Sequence, residues 1–278
     1  MRGPVLGILA GAALWAVAPG AVAQQQQQAY EALTPERDFS GVWTTWQEPN
    51  APPRAGRASA AVPPLPFTPE GARRKAEYDK LTGNDSAAEG SLGGDSAAAH
   101  CVVYGMPTMM QVAGGYPIEF IHRPEQLTII YEVESETRRI YMPGRGVPLE
   151  KRLPVRQGYS EGRWEGDTLV VETSSLSDGF DQRSYPHSEE ASIVERFRLV
   201  PDPVVGKALE YELTMTDPVY YTEPVGFTRK WMPLKDGHII AYNCTEEPWL
   251  RLLEKRREQL NAGQPITAKM SDVIDVYE

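Results

Sequence analysis

The chain is poor in the side chains on which much protein chemistry depends. Its 278 residues include two cysteines and four histidines. His100, His122, His187 and His238 contain no close pair of the His-x-His or His-Glu-x-x-His kind that metal sites usually supply. His100 and Cys101 are neighbours, so on a strand they point to opposite faces. No metal is expected, and only distant histidines converging in a barrel would build a site for one. Lysine and arginine form no stripe and the net charge is -10, which argues against nucleic acid as a partner. No β-α-β alternation is visible, and no glycine-rich phosphate loop follows a strand. Gly158-Tyr159-Ser160-Glu161-Gly162 matches the serine-hydrolase elbow formally. It enters a β-hairpin, however, with Arg163-Trp164 where that elbow needs a helix. The hydrolase reading is rejected.

Long apolar runs are equally scarce. The one that stands out, Val5 to Ala18, is about two-thirds of the length a membrane span requires. It follows Met1-Arg2, meets Pro19-Gly20, and is succeeded by Ala21-Val22-Ala23, an A-x-A cleavage site before Gln24. Residues 1–23 therefore read as a secretory signal cleaved after Ala23. The mature protein is expected in the periplasm or secreted, with no membrane span. Export argues against ATP- and nicotinamide-dependent chemistry, whose pools are cytoplasmic, and no cofactor is expected. In an oxidising compartment, Cys101 and Cys244 are candidates for a disulfide. Closing so long a loop is worth about 4–5 kcal/mol on entropy grounds.

Residues 24–37 read as a flexible leader, and 38–260 as a single β-rich domain. Within it lie a Pro/Ala/Gly-rich linker (49–66) and a Gly-rich loop (82–99); residues 261–278 are a polar tail. Thr68-Pro69-Glu70 opens a helix expected to run to Leu81, with Thr at the cap and Pro at the first helical position. From Val102 onward the pattern is β. Strand pairs are expected at 127–133 with 137–142, and at 158–173 about the turn Glu165-Gly166-Asp167. Two more are expected at 192–200 with 209–216 and at 227–232 with 238–244. Leu209, Tyr211, Leu213 and Met215 alternate with Glu210, Glu212, Thr214 and Thr216, the mark of a half-buried antiparallel strand. An amphipathic helix follows from about Pro248 to Leu260.

The first strand carries Gly41-Val42-Trp43, which resembles the Gly-x-Trp motif opening lipocalin-like barrels. That likeness implies a tryptophan closing the barrel floor. The expected fold is thus mainly β: an antiparallel meander closing into a lipocalin-like barrel with one or two flanking helices, a β-sandwich being the alternative. A second likeness is more extensive. Trp164-Glu165-Gly166-Asp167-Thr168-Leu169-Val170-Val171-Glu172-Thr173 resembles a hairpin, W-E-G-D-T-L-V-V-E/D-T, of a family of exported bacterial proteins. Similar stretches include Arg138 to Tyr141, Gly144-Arg145, Pro186-His187-Ser188, Glu195-Arg196-Phe197 and Asp217-Pro218. The likeness covers about Cys101 to Glu246. Met142-Pro143 stands where an acidic residue is more usual. This resemblance implies membership and carries no catalytic residues with it.

What remains is binding, or acid–base chemistry without a metal, in a barrel mouth. Glu132, Arg139 and Tyr141 fall on neighbouring strands and would give one pocket a carboxylate, a guanidinium and a phenol. A cross-strand ion pair on the outer face is the simpler alternative. His187 follows Pro186 in a loop holding Asp178, Asp181, Arg183 and Tyr185, a good position for a general acid or base near neutral pH. Glu195 shares a face with Ile193, Phe197 and Leu199, while Arg196 points the other way. A carboxylate on an apolar face is either functional or paired, with Arg229 or Arg139 as candidate partners. Aromatic residues cluster toward the end, among them Tyr220, Tyr221, Phe227 and Trp231, and suit flat or sugar-ring ligands.

The leading expectation is an exported barrel binding a small organic molecule, whether hydrophobic, aromatic or sugar-like, with Arg139, Arg196, Tyr221 and Trp231 as ligand contacts. The alternative is a cofactor-free lyase or isomerase using His187, Glu132, Glu195 and Tyr141. An envelope interaction protein is the third reading.

Overall fold

A computed structural model describes residues 33–46, 65–82, 101–112, 115–181, 184–242, 245–269 and 272–273. The expected signal, most of the expected leader (24–32), most of the 49–66 linker, the 83–99 loop and Cys244 lie outside the described residues.

Nine strands close into a barrel. They are β1 (Gly41–Thr45), β2 (Ile118–Arg123), β3 (Gln126–Tyr131), β4 (Thr137–Tyr141), β5 (Tyr159–Glu165), β6 (Thr168–Ser174), β9 (Ser192–Asp202), β10 (Gly206–Thr216) and β11 (Val225–Pro233). β7 (Gly179–Phe180) and β8 (Pro186–His187) form a separate small hairpin between β6 and β9. Around the barrel the order is that of the sequence, and β1 pairs with both β2 and β11 to complete the ring.

An odd number of strands cannot close with every neighbour antiparallel, because directions alternate around the ring. The necessary parallel seam falls between β4 and β5. Parallel neighbours need a crossover, and residues 142–158 supply it.

Each strand presents alternate residues to the interior. On β10 these are Leu209, Tyr211, Leu213 and Met215, all buried. The β5–β6 hairpin turns at Gly166, whose φ of +58° suits glycine. β9 and β10 run further than the sequence pattern implies, so that Pro201 and Asp202 belong to β9. Residues 238–242 form no strand. Among the described residues the expected last hairpin does not form: β11 takes β1 as its second neighbour, which is what closes the barrel.

One end of the barrel is sealed by Phe39, whose ring meets Phe120 (5.2 Å), His122 (4.5 Å) and Phe197 (6.0 Å). Trp43 is buried beside it and donates its indole N–H to the Phe39 carbonyl (2.9 Å). The opposite end is covered by the short helix α2 (Thr108–Val112), where Met109 and Met110 are buried and the Tyr131 hydroxyl meets Met110 Sδ (3.0 Å).

Two longer helices flank the barrel. α1 (Pro69–Thr82) begins as expected: Thr68 Oγ1 accepts the Gly71 N–H (3.0 Å) and donates to the Val219 carbonyl (2.6 Å). α3 (Glu247–Asn261) buries Trp249, Leu252 and Leu253, and reaches α1 through Arg256, which donates to the Leu81 carbonyl (3.4 Å). Among the described residues, no helix is long and apolar enough to cross a membrane.

Candidate functional site

The inner faces of β10 and β11 run up to the α2 end of the barrel. There a cavity of about 220 Å³ opens between them, α2 and the β7–β8 hairpin. β10 and β11 give it Leu213, Met215, Val225, Gly226, Phe227 and Arg229, while Pro107 and Gln111 bound it at α2. The hairpin side gives Asp181, Tyr185, Pro186 and His187, and Leu65 and Tyr221 complete the wall.

The hairpin is pinned over this mouth from three directions. The Tyr221 hydroxyl donates to the Pro186 carbonyl (2.8 Å). Asp217 accepts the backbone N–H (2.7 Å) and the hydroxyl (2.9 Å) of Ser188. On α1, Tyr78 stacks on Phe180 at 3.8 Å, and Arg74 pairs with Asp178 (2.5 Å). Asp178 also accepts from the Tyr220 hydroxyl (2.9 Å). Inside the hairpin, the Asp181 carboxylate accepts the Tyr185 N–H (2.9 Å). His187 is therefore held by its surroundings although its strand is two residues long.

His187 is 3 % exposed. Burial holds its imidazole below the usual histidine range, although the Asp178 and Asp217 carboxylates pull the other way. Its Nδ1 has no hydrogen-bond partner among the described residues. Burial pushes the Tyr221 hydroxyl well above the ordinary tyrosine range, so it stays a neutral donor. Arg229 donates twice to the Gln111 carbonyl (3.3 and 3.0 Å), tying β11 to the end of α2. The mouth thus offers mainly apolar walls, a buried imidazole, and one side chain of each charge.

The other proposed site residues lie elsewhere. Glu195 sits in the barrel core and forms a two-pronged ion pair with Arg138. It also accepts from the Tyr211 hydroxyl (2.8 Å). The partner is Arg138 rather than Arg139 or Arg229, because Arg138 and Ile140 are the inward residues of β4. Arg139 is consequently exposed, and Tyr141 stacks on Tyr159 at 5.1 Å. Glu132 is buried just beyond β3 and accepts the Ile240 N–H (3.1 Å). The expected Glu132/Arg139/Tyr141 pocket does not form, since β4 turns its arginine–tyrosine face outward. Arg196 is exposed beside Glu165 (3.4 Å), and Trp231 is fully buried against Tyr211 at 5.1 Å. Of the proposed residues, His187 and Tyr221 meet at the cavity.

Sequence reading did not single out Gln111, Leu213, Met215 or Val225 as a wall. β10 alternation marks Leu213 and Met215 as inward, but nothing in the pattern shows that the interior is left unfilled beside them. Among the described residues, no group of three or more histidine, cysteine, aspartate or glutamate side chains is placed to hold a metal ion. The chain matches no family model, no curated protein and no solved structure.

Proposed function

We propose that this chain is an exported binding barrel that takes a small organic molecule into the mouth cavity. The observation that carries the reading is the cavity itself: about 220 Å³ with apolar side chains from β10 and β11 on one side and the buried His187 on the other. Sites of this kind combine apolar walls with a few polar groups that fix orientation. Export to the periplasm or medium, membership of the family carrying the Trp164–Thr173 hairpin, and a Cys101–Cys244 bridge are parts of the same proposal. Binding is favoured over lyase or isomerase chemistry because Glu132 and Glu195 spend their carboxylates outside the cavity, on Ile240 and on Arg138.

The test is native mass spectrometry of the protein purified from its host. The reading expects a small-molecule adduct that disappears on denaturation and is lost in Val225→Trp, where the indole fills the cavity. An adduct that survives Val225→Trp, or a ligand-free mass together with no response to any small-molecule probe, contradicts it.

A docking role is the second reading, and one observation favours it. The β4–β5 crossover exposes Leu149 (65 %) and Leu153 (77 %) in a single short segment. Leu149→Ser with Leu153→Ser should then abolish association with an envelope partner and leave small-molecule binding intact.

A further inference from the structure

Resting on the reading of the mouth cavity as a ligand site, we infer that its ligand is an uncharged, single-ring molecule bearing a hydroxyl group, which pairs with the His187 imidazole.

Size sets the first limit. About 220 Å³ lies between the roughly 150 Å³ that accepts benzene and the roughly 300 Å³ at which drug-sized sites begin. One ring with a small substituent fits, and a fused or two-ring ligand does not.

The walls set the second. Leu213, Met215 and Phe227 offer a ring nothing to hydrogen-bond. A sugar would bring several hydroxyls against these side chains and leave most of them without the partners they had in water. An aromatic or alicyclic ring loses nothing there.

Charge sets the third. Asp181 and Arg229 both belong to the wall, so an anion meets a carboxylate and a cation meets a guanidinium. Arg229 is already engaged with the Gln111 carbonyl, which leaves it poorly placed to gather a carboxylate group. The ligand that loses least on entry is neutral.

His187 supplies the polar handle. A neutral imidazole has one N–H and one lone pair, and buried polar atoms are as a rule satisfied. Nδ1 is not. A ligand hydroxyl both donates and accepts, so it suits the imidazole in either tautomer. A carbonyl suits only the N–H.

The experiment is calorimetric titration of the mature chain with 4-methylphenol, toluene and benzoate, repeated on His187→Phe and Val225→Trp. His187→Phe keeps a ring and removes both nitrogens. The expected result is 4-methylphenol binding about tenfold more tightly than toluene, the worth of one hydrogen bond. Benzoate should be weaker than either. The preference for the phenol should vanish in His187→Phe, and all binding should vanish in Val225→Trp. If toluene or benzoate binds the wild-type protein as well as 4-methylphenol does, the inference is overturned while the cavity remains a ligand site. That comparison needs no variant and holds even if His187→Phe fails to fold. If none of the three binds the wild-type protein, the ligand site and the inference fall together.

Discussion

Arg138 and Glu195 face each other across the barrel interior, 1 % and 0 % exposed, from strands that are not neighbours. They pair directly, and hydroxyls surround the pair. Arg138 donates to Ser160 Oγ (3.1 and 2.9 Å) and to Thr173 Oγ1 (2.8 Å). Tyr211 completes the set, so that β4, β5, β6, β9 and β10 each contribute one polar side chain to a continuous chain of hydrogen bonds. The guanidinium loses hydration on burial, but the Glu195 carboxylate outweighs that loss and holds it charged. Burial and the same carboxylate push the Tyr211 hydroxyl far above its usual range, keeping it a donor. The chain crosses the parallel β4–β5 seam, where the backbone register covers only Ile140↔Ser160 and Tyr141↔Glu161. A short seam is a weak place in a closed barrel, and the Arg138–Ser160 bonds reinforce it.

Breaking this pair from one side strands a buried charge. Arg138→Met alone should cost about 3–5 kcal/mol, and Glu195→Leu a similar amount. The double variant should recover most of the loss, because two well-packed apolar side chains leave no charge to satisfy. Urea unfolding of the four proteins measures this as a coupling energy, and simple additivity would show that the two groups act independently.

His122 should make the protein sensitive to acid. Burial in the Phe39 and Trp164 cluster pushes its imidazole down to about 4 from an ordinary 6.5. The unfolded chain therefore takes up a proton in this window and the folded chain does not. Stability from this residue is complete above pH 6.5 and is lost as the pH falls toward 4. Burial raises Glu134 to about 7, and the protonated folded form makes its effect opposite: stability falls as pH rises from 4.5 to 7. Comparing His122→Phe with wild type at each pH isolates the histidine. The variant should lose several degrees less of melting temperature between pH 7 and pH 4.5 than wild type does.

Gly71 offers a test whose sign separates two effects. Replacing a helical glycine by alanine ordinarily stabilises by about 1 kcal/mol. Here the new methyl would lie 2.2 Å from the Tyr220 carbonyl oxygen, on the turn that carries Tyr221. Gly71→Ala should therefore destabilise, by about 1–3 kcal/mol, and weaken ligand binding by disturbing the cavity wall. A gain in melting temperature would show that α1 does not approach that turn so closely.

Much of the barrel was legible in the sequence, and the reasons are local. Alternation along β10 and the Gly166 turn are signals carried by adjacent residues. Two features were not legible, because they depend on partners far along the chain. Thr137-Arg138-Arg139-Ile140-Tyr141 gives an arginine and an apolar or aromatic residue to each face, so its inward face is undetermined until Glu195 is placed opposite it. The neighbour of β11 is likewise set by ring closure onto β1, which no pattern near His238 reveals. His187 and Tyr221 stood out by residue type, whereas the unfilled space beside Leu213 and Met215 is a property of packing alone.

The export proposal has a direct mass signature. Protein recovered from the periplasm or medium of its host should begin at Gln24 and be lighter by one pair of hydrogens than its fully reduced form, for a Cys101–Cys244 bridge. A retained Met1, or two thiols that alkylate without prior reduction in the folded or the unfolded chain, would contradict it.

A crystal structure with 4-methylphenol shows whether the barrel mouth holds a ring-sized molecule beside His187. Density for the ring is expected between Phe227, Leu213 and Tyr221, with its oxygen within hydrogen-bonding distance of the imidazole. A mouth left empty or holding only water at saturating 4-methylphenol, or the phenol bound elsewhere on the barrel, would contradict it.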